Sequence, residues 1–335
     1  MKKLTFLDKI LYLINSLLAV LLLLSFLLPH ISPKKLPDFA VLSLFVPVLL
    51  IVNIFFVIYW LLKLKKQFLL SFLILILGWM IMTPFYKLSG KNSSLNSDLK
   101  LMSYNVKTFD LFSKKEDSTV NGFAFIKEKN PDILAVQEYY QTSKIDISYP
   151  YQYIKKNTKS KKYGLAIYSK YKIINSGSLD LKSEGNNIIF IDILKQKDTI
   201  RIYNVHFESL RIKPNEENFG ESNSEKLLER VANAFKKQAL QTEQFLRHEQ
   251  TWKGKKIICG DFNNTSYSWL YHKISKDKKD AFIEAGKGFG KTFNYWFPMR
   301  IDFILTDKNS ITNSFKTFDI KHSDHFPIVA KINWK

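Results

Sequence analysis

The sequence predicts a sheet-rich α/β sandwich that follows three transmembrane helices. Three observations lead to this fold class. Long uncharged apolar runs fill most of the first 86 residues, a short polar linker follows them, and the remainder places short apolar strands between a few helices. The chain has 335 residues, enough for one large domain or two of ordinary size.

The apolar runs cover residues 10–28, 39–62 and 68–86, and none of them contains a charged residue. Each has about the 20 residues that an α-helix needs to cross a bilayer. Buried helices of a soluble core are the alternative, but three such runs in succession favour membrane spans. A cleaved signal peptide would account only for the first run, and no small-residue cleavage site follows it.

Lysines near the ends of the runs bear on orientation. With the N-terminus in the cytoplasm, the three lysines before the first run and the three between the second and third lie inside. Two lysines in the first loop and three after the third run then lie outside. The inside therefore has one lysine more than the outside, which favours a multi-pass protein of the cell membrane with an extracytoplasmic C-terminal domain. The single cysteine, Cys259, excludes an internal disulfide.

The polar segment 89–98, SGKNSSLNSD, is predicted to link a membrane domain (residues 1–88) to a soluble domain (residues 99–335). Within the soluble domain, apolar periodicity predicts helices over 118–129 and 225–248. Strands are predicted from short runs that are rich in β-branched and aromatic residues. These runs are LKLMSYNV, ILAV, YGLAIYSK, NIIFIDIL, TIRIYNVHF, KKIICGDFN, RIDFILT and FPIVAKI.

The net charge is +20, of which residues 1–86 contribute +6 and the remainder +14. A basic soluble domain favours a polyanionic partner, either nucleic acid or an anionic membrane surface. The lysines are scattered rather than concentrated, so lysine richness without a binding patch is the alternative interpretation.

A polar side chain that can ligate a metal or transfer a proton stands at the tip of most predicted strands. Strand tips at one edge of a sheet can converge in space although they are far apart in sequence, and rigid strand ends hold a site well. The candidate residues are Asn105, Glu138, His206, Asp261, Asn263, Asp302, Asp324 and His325.

Carboxylate and amide oxygens suit a hard divalent cation, so these residues predict Mg²⁺, with Mn²⁺ or Ca²⁺ as alternatives, rather than Zn²⁺ or copper. Glu138 and Asn105 form a suitable minimal ligand set, because Mg²⁺ keeps several water and phosphate ligands. The other acids and histidines could orient water, protonate a leaving oxygen or bind phosphate oxygens.

Several short motifs occur in a fixed order: SYNV, QE, YGLAIYSK, NVHFES, GDFN, RIDFIL and SDHFPI. Together they resemble the endonuclease/exonuclease/phosphatase superfamily of metal-dependent phosphoesterases, over residues 99–335. The resemblance implies a four-layer α/β sandwich, in which two mainly antiparallel sheets pack together and the site lies at one edge.

On the metal side, the resemblance implies that Glu138 is the principal ligand, with Asn105 beside it and Asp324 as a further carboxylate. His206 matches a second histidine that is found in the deoxyribonuclease and sphingomyelinase branches. The abasic-site repair endonucleases have a different sequence at the NVHFES motif, so His206 argues against that branch.

On the phosphate side, the resemblance implies that Asp261 orients or deprotonates the attacking water. Asn263 would bind the phosphate or the transition state. His325 would contact the scissile phosphate, and Asp302 would orient it. The second histidine of this segment, His322, is interpreted as a solvated loop residue.

The predicted function is therefore membrane-anchored, metal-dependent hydrolysis of a phosphodiester, with water attacking phosphorus. The charge of +14 favours nucleic acid as the substrate, and the membrane segment keeps a lipid headgroup or another small phosphorylated molecule as the alternative. A non-catalytic binding domain is disfavoured because Glu138, Asp261 and His325 are all present. A transporter or channel would need more intramembrane polar residues than two asparagines.

Overall fold

The computed structural model describes residues 4–110, 117–140, 147–157, 163–181, 185–212, 221–320 and 322–334. The α-helices are α1 (Phe6–Ser25), α2 (Pro37–Ala40), α3 (Val46–Leu62), α4 (Phe68–Ile81), α5 (Asp117–Lys129), α6 (Glu221–Glu249), α7 (Trp269–Ser275) and α8 (Ala281–Ala285). Short 3₁₀ helices cover Leu28–His30, Val41–Leu44 and Lys107–Asp110. The strands are β1 (Leu99–Asn105), β2 (Ile133–Tyr140), β3 (Tyr151–Lys156), β4 (Tyr163–Ser169), β5 (Ile173–Ser178), β6 (Asn187–Lys195), β7 (Asp198–His206), β8 (Lys255–Asp261), β9 (Lys278–Asp280), β10 (Asp302–Asp307), β11 (Ser310–Thr317) and β12 (Ile328–Trp334).

The strands form two six-stranded sheets, ordered β11-β12-β1-β2-β4-β3 and β5-β6-β7-β8-β10-β9. Each sheet has one parallel pair at its centre, β1 with β2 and β7 with β8. The other neighbouring strands pair in antiparallel fashion. The prediction of two mainly antiparallel sheets is therefore confirmed.

The sheets pack face to face, and helices cover their outer faces. Strand β1 shows why, because its side chains alternate between two cores. Leu99 and Leu101 lie in the core between the sheets, whereas Met102 and Tyr104 pack toward α5 through Ile126. Residues of α6 and α7 pack in the same way on the outer face of the second sheet. The order helix, sheet, sheet, helix gives the four predicted layers.

The strands predicted from apolar runs are all present, and each lies inside a sheet. The strands that the sequence did not predict are β3, β5, β9 and β11, which occupy the four sheet edges. An edge strand is solvated along one side, so it can carry polar residues and lacks a continuous apolar run. Strand β5, with the sequence IINSGS, is an example. Both predicted helices are present as α5 and α6.

The prediction of three transmembrane helices is wrong. Within the described residues, Phe6–His30 is long and apolar enough to cross a membrane, and it has the composition of either a membrane anchor or a signal sequence. The second run is bent by 58° between Pro37–Leu44 and Val46–Leu62, and it counts as a span only if both parts are taken together. Pro47 lies in the first turn of this second part, where its missing N–H leaves no helical hydrogen bond unmade.

The third predicted span is helical only over α4, whose 14 residues rise by about 21 Å, less than the roughly 30 Å of a bilayer core. It ends where Met82 turns to an extended conformation, just before Thr83 and Pro84. A residue that precedes proline disfavours the helical region, which explains the early end. The multi-pass topology, and with it the side of the membrane inferred from lysines, is therefore not supported.

Residues 6–85, here called the N-terminal helical block, contain helices that pack on one another around buried polar side chains. Asn15 donates to Ser71 Oγ at 2.6 Å, and Ser71 donates to Asn53 Oδ1 at 2.8 Å. The indole N–H of Trp60 donates to Asn15 Oδ1 at 3.0 Å. These bonds satisfy the asparagines that interrupt the apolar runs, so burying them is tolerated.

The segment predicted as a linker, residues 89–98, lies along the soluble domain. The backbone N–H of Lys91 donates to the Ala285 carbonyl at 3.0 Å, and that of Ser93 donates to the Asn313 carbonyl at 3.0 Å. Asn92 and Ser314 form an antiparallel bridge beside them. The connection to β1 is therefore fixed by backbone hydrogen bonds.

We expect Gly260→Ala to lower the free energy of unfolding by roughly 2–5 kcal/mol. Gly260 has φ +136°, and an added Cβ would overlap the carbonyl oxygen of Val205 on the parallel neighbour β7. Gly185→Ala is the matched control, because a Cβ there meets open space. Denaturant unfolding of both variants measures the difference, and equal stability would contradict the close approach of β7 and β8.

Candidate active site

Polar side chains from both sheets meet at one edge of the sandwich. In the first sheet, Asn105 ends β1 and Glu138 lies near the end of the parallel strand β2. In the second sheet, His206 and Asp261 are register partners at the ends of the parallel strands β7 and β8. Asp302 begins the antiparallel strand β10 opposite Asp261. The strand directions therefore bring these tips together.

A bulge in β2 directs Glu138 into the site. The pairing of β2 with β4 shifts register between Val136 and Tyr139, and Glu138 has a φ of +50°. A positive φ in a residue other than glycine is uncommon and marks local strain of the kind that is concentrated at functional sites. The Glu138 side chain is 40 % exposed, so it forms the open side of the cluster.

The carboxylate of Asp261 is the centre of the cluster and is buried, with 1 % exposure. Asn105 Nδ2 donates to Asp261 Oδ2 at 3.0 Å and to Glu138 Oε1 at 3.3 Å. His206 Nε2 lies 3.7 Å from Asp261 Oδ2 and 3.8 Å from Glu138 Oε1. This buried nitrogen has no hydrogen-bond partner within the described residues. His206 therefore presents an unused polar atom to two carboxylates.

His325 and Asp302 form a buried hydrogen-bonded pair, with 2.9 Å between His325 Nδ1 and Asp302 Oδ2. The other ring nitrogen, Nε2, lies 3.7 Å from Asp261 Oδ2. The Thr292 hydroxyl accepts the backbone N–H of Asp302 at 3.1 Å, which fixes the start of β10. The ring of Phe293 packs edge-on against the His325 ring. The predicted orientation of His325 by Asp302 therefore has the required geometry.

Burial and neighbouring charges raise the pKa values of two groups in the site. Burial raises the pKa of Asp261 to about 6, and the nearby Asp302 adds to the rise while His325 and His206 oppose it. Burial alone would lower the pKa of His325, but Asp302 and Asp261 outweigh it and raise the pKa to about 10. At neutral pH, His325 is therefore a cation, and the pKa of Asp261 lies close to the pH of the solution.

Two predicted site residues have other partners in this structure. Asn263 donates from its side chain to the Phe207 carbonyl at 3.0 Å, while its backbone N–H donates to Asp261 Oδ1 at 2.7 Å. Asp324 forms an ion pair with Lys107, with 2.8 Å between Nζ and Oδ2. Their predicted roles, in phosphate binding and metal ligation, stay predictions.

The sequence did not predict several residues that support the site. Gln137 donates to Asn204 Oδ1 at 2.6 Å, which joins the two sheets beneath the candidate site. Ser323 donates to the Asn105 carbonyl at 2.8 Å and accepts the N–H of His325 at 3.1 Å. Gln137 and Asn204 could have been found in the sequence, because each is an amide inside a strongly apolar strand, as the segments ILAVQE and IYNVHF show.

The spacing of the acidic and imidazole groups can hold a metal ion. Ligand atoms of Asp261, Asp302 and His325 all lie within 4.8 Å of one another. The half-exposed Glu138 adds a carboxylate on the open side, and the unpartnered His206 Nε2 faces the same space. Such a concentration of carboxylates favours a bound cation, which would offset their mutual repulsion.

Comparison with known proteins identifies the family. Residues 102–325 match the Endonuclease/Exonuclease/phosphatase family, and the chain belongs to it. Members of this family are typically metal-dependent hydrolases that act on phosphoester bonds. Residues 8–85 match a domain of unknown function, DUF8431. No match was found among curated proteins.

Solved structures share the fold at low sequence identity. An endonuclease/exonuclease/phosphatase family protein from Leptotrichia buccalis C-1013-b is 20 % identical, with a TM-score of 0.51 over 70 % of this chain and all of that one. D. rerio TDP2, complexed with a single strand DNA product, is 14 % identical, with a TM-score of 0.54 over 71 % of this chain and all of that one. The human Nocturnin catalytic domain with bound sulfate is 16 % identical, with a TM-score of 0.52 over 72 % and 97 % of the two chains.

We expect Asp302→Asn to lower the pKa of His325, because the substitution removes the negative charge that lies nearest to the ring. The pKa can be followed by NMR of labelled histidine in the presence of a chelator, with the resonance assigned by its loss in His325→Gln. Asp277→Asn, at an exposed ion pair with Lys308, is the control. An unchanged pKa in Asp302→Asn would contradict the charged pair.

Proposed function

We propose that the protein is a divalent-metal-dependent phosphodiester hydrolase that an N-terminal helix anchors to a membrane. One observation carries the hydrolytic part: the buried Asp261 carboxylate lies between Asn105, His206 and His325, while Glu138 flanks its open side. Asp261 as a proton acceptor, the His325 imidazolium and the Glu138 carboxylate as a metal ligand therefore lie close together.

Glu138 would hold the cation, with Mg²⁺ as the first candidate, and the cation would supply positive charge against the phosphoryl oxygens. Asn105 would join it through Oδ1 only after its amide turned over, because Nδ2 faces Glu138 and Oδ1 accepts the Lys107 N–H at 3.1 Å. Asp302 and His325 are less suitable ligands despite their spacing. Their hydrogen bond and the raised pKa of His325 keep the imidazole protonated, and an imidazolium has no free lone pair. Asp324 is a further carboxylate candidate, which would have to exchange Lys107 for the metal.

Asp261 would accept a proton from the water that attacks phosphorus. A general base is most effective when its pKa lies near the working pH, and burial raises that of Asp261 to about 6. The imidazolium of His325 would donate from Nε2 to a phosphoryl oxygen, because Nδ1 is already bonded to Asp302. His206 Nε2 is available for a second phosphate or leaving-group oxygen, and Asn263 is a further candidate for phosphate binding.

Two substrate classes agree with the site. Nucleic acid is favoured by the charge of +14 after residue 86, and the similar TDP2 structure contains a single strand DNA product. A lipid headgroup is the second candidate, because the N-terminal helical block packs beside the catalytic edge, with Leu44 in one apolar cluster with Leu210 and Met299. Leu210 follows His206 closely, and Met299 shortly precedes Asp302.

Membrane anchoring is proposed from the surface of the N-terminal helical block. Large apolar side chains there are open to solvent, including Phe6 at 80 %, Leu64 at 93 % and Trp79 at 82 % exposure. Such a concentration of exposed apolar groups is unusual for a protein surrounded only by water. Phe6–His30 is the segment that we propose as the anchor.

We expect Asp261→Asn and Glu138→Gln each to lower kcat for phosphodiester hydrolysis by about 10²–10⁴-fold. Full-length protein in lipid nanodiscs would be tested with Mg²⁺ and with a chelator on plasmid DNA, structured RNA, phospholipid vesicles and a small chromogenic phosphodiester. The matched control is Asp198→Asn, at the start of the strand that His206 ends and about 26 Å away along it.

Chelator-sensitive cleavage of one substrate class, lost in the two variants and kept in the control, would establish the reaction and select the substrate. Folded protein that cleaves none of the four substrates with Mg²⁺, Mn²⁺ or Ca²⁺ would refute the proposal. Equal activity of Asp261→Asn and the wild type would remove Asp261 from the role of base.

A further inference from the structure

The loop Asn263–Ser268, which follows the catalytic strand β8, is held by the N-terminal helical block. We propose that the block is a working part of the active site, because its Ser43 and Thr83 fix this loop and thereby position Asp261. The inference rests on the proposed function only for the catalytic role of Asp261. The contact itself is a separate claim.

Buried hydrogen bonds join the block to the loop. Ser43 Oγ donates to Asn264 Oδ1 at 3.3 Å, and Thr265 Oγ1 donates to the Ser43 carbonyl at 2.9 Å. Thr83 Oγ1 donates to Ser266 Oγ at 3.0 Å. Ser43, Asn264 and Thr265 are at most 2 % exposed, so water does not compete for these bonds.

The side chain of Tyr267 strengthens the attachment. It belongs to the same apolar cluster as Leu22 of α1, Val46 of α3 and Ile74 of α4, and it is 4 % exposed. The catalytic loop therefore inserts an aromatic side chain into the core of the block. Successive residues of the loop, from Asn264 to Tyr267, each contact the block.

The other end of the loop reaches the proposed base. The N–H of Asn263 donates to Asp261 Oδ1 at 2.7 Å, with Asn263 held at a φ of +50°. Gln238 of α6 donates to the Asn263 carbonyl at 3.2 Å and accepts from Asn264 Nδ2 at 2.8 Å. Gln238 also donates to the Glu208 carbonyl, two residues beyond His206. A displaced loop would thus move the donor that orients Asp261.

Attachment of the block to the soluble domain would not need hydrogen bonds to the Asn263–Ser268 loop. An apolar contact already exists, in which Ala40 and Leu44 pack against Val231 and Phe235 of α6. The polar bonds are directed instead at Asn264, Thr265 and Ser266, three to five positions after Asp261, and hydrogen bonds fix geometry where apolar packing tolerates sliding. The geometry therefore points to positioning rather than attachment alone.

The test compares Thr265→Val with Thr265→Ser. Valine keeps the volume but removes the hydroxyl that donates to the Ser43 carbonyl and accepts the Tyr267 N–H, whereas serine keeps both bonds. We expect Thr265→Val to lower kcat about tenfold or more at a KM within twofold of the wild type, since a misplaced catalytic group costs turnover rather than binding. Thr265→Ser should retain activity. Lys34→Ala is the control. Lys34 follows α1 and forms an exposed ion pair with Glu243, and neither residue contacts the Asn263–Ser268 loop.

Amide hydrogen exchange on the full-length protein in nanodiscs is the second readout. Thr265→Val should speed exchange across residues 262–268, and Lys34→Ala should not. A folded Thr265→Val protein with unchanged kcat and unchanged exchange would overturn the proposal. Faster exchange with unchanged kcat would show that the contact orders the loop without positioning Asp261, which also overturns the proposal.

Two further results have a defined meaning. Ser43→Ala removes a donor on the block side of the contact and leaves the bond between Thr265 and Tyr267 in place. It is therefore judged by the same two readouts, and it replaces Thr265→Val if that variant does not fold. If the wild type hydrolyses none of the substrates, the proposed function fails, while the exchange comparison still decides whether the block orders the loop.

Discussion

The burial of Asp261 is the constraint on which the site depends. A carboxylate removed from water must be paired with donors or cations, or its charge becomes too costly to keep. Asn105 from β1, His206 from β7 and His325 from the segment before β12 supply those partners. Because β1 and β7 belong to different sheets, the partners can meet only if the sheets pack with these strand tips at one edge. The packing of the sandwich and the chemistry of the site are therefore one problem.

The central strands and their tips could be predicted from the sequence, whereas the sheet edges could not. A strand buried on both sides, such as the ILAV run of β2, must be almost wholly apolar, so the polar residue that follows it stands out. Strand β11, SITNSFKT, pairs with β12 along one side, has only the bridge between Ser314 and Asn92 on the other, and alternates irregularly in burial. Edge strands are specified by the neighbour they pair with, and that neighbour lies far away in sequence.

Composition also misjudged the N-terminal helical block. Apolar runs of the right length predicted three spans, but the conformation at Pro47 and Pro84 divides the second run and shortens the third. Asn15 and Asn53, which interrupt the apolar runs, are buried hydrogen-bonding groups. Likewise, nothing in the sequence around Ser43 distinguishes it from any other serine in an apolar segment. Its partner lies 221 residues away.

The contact between the block and the catalytic loop has an energetic consequence for the whole chain. Separating them would exchange the two hydrogen bonds that Ser43 forms with Asn264 and Thr265 for bonds to water, at about 0.5–1.5 kcal/mol for each bond. It would also expose Tyr267 and the apolar residues that pack around Leu44. That cost is a large fraction of the 5–15 kcal/mol by which a typical domain is stable. The block and the phosphoesterase domain should therefore unfold as one cooperative unit, so a membrane that orders the block also orders the loop that carries Asn263.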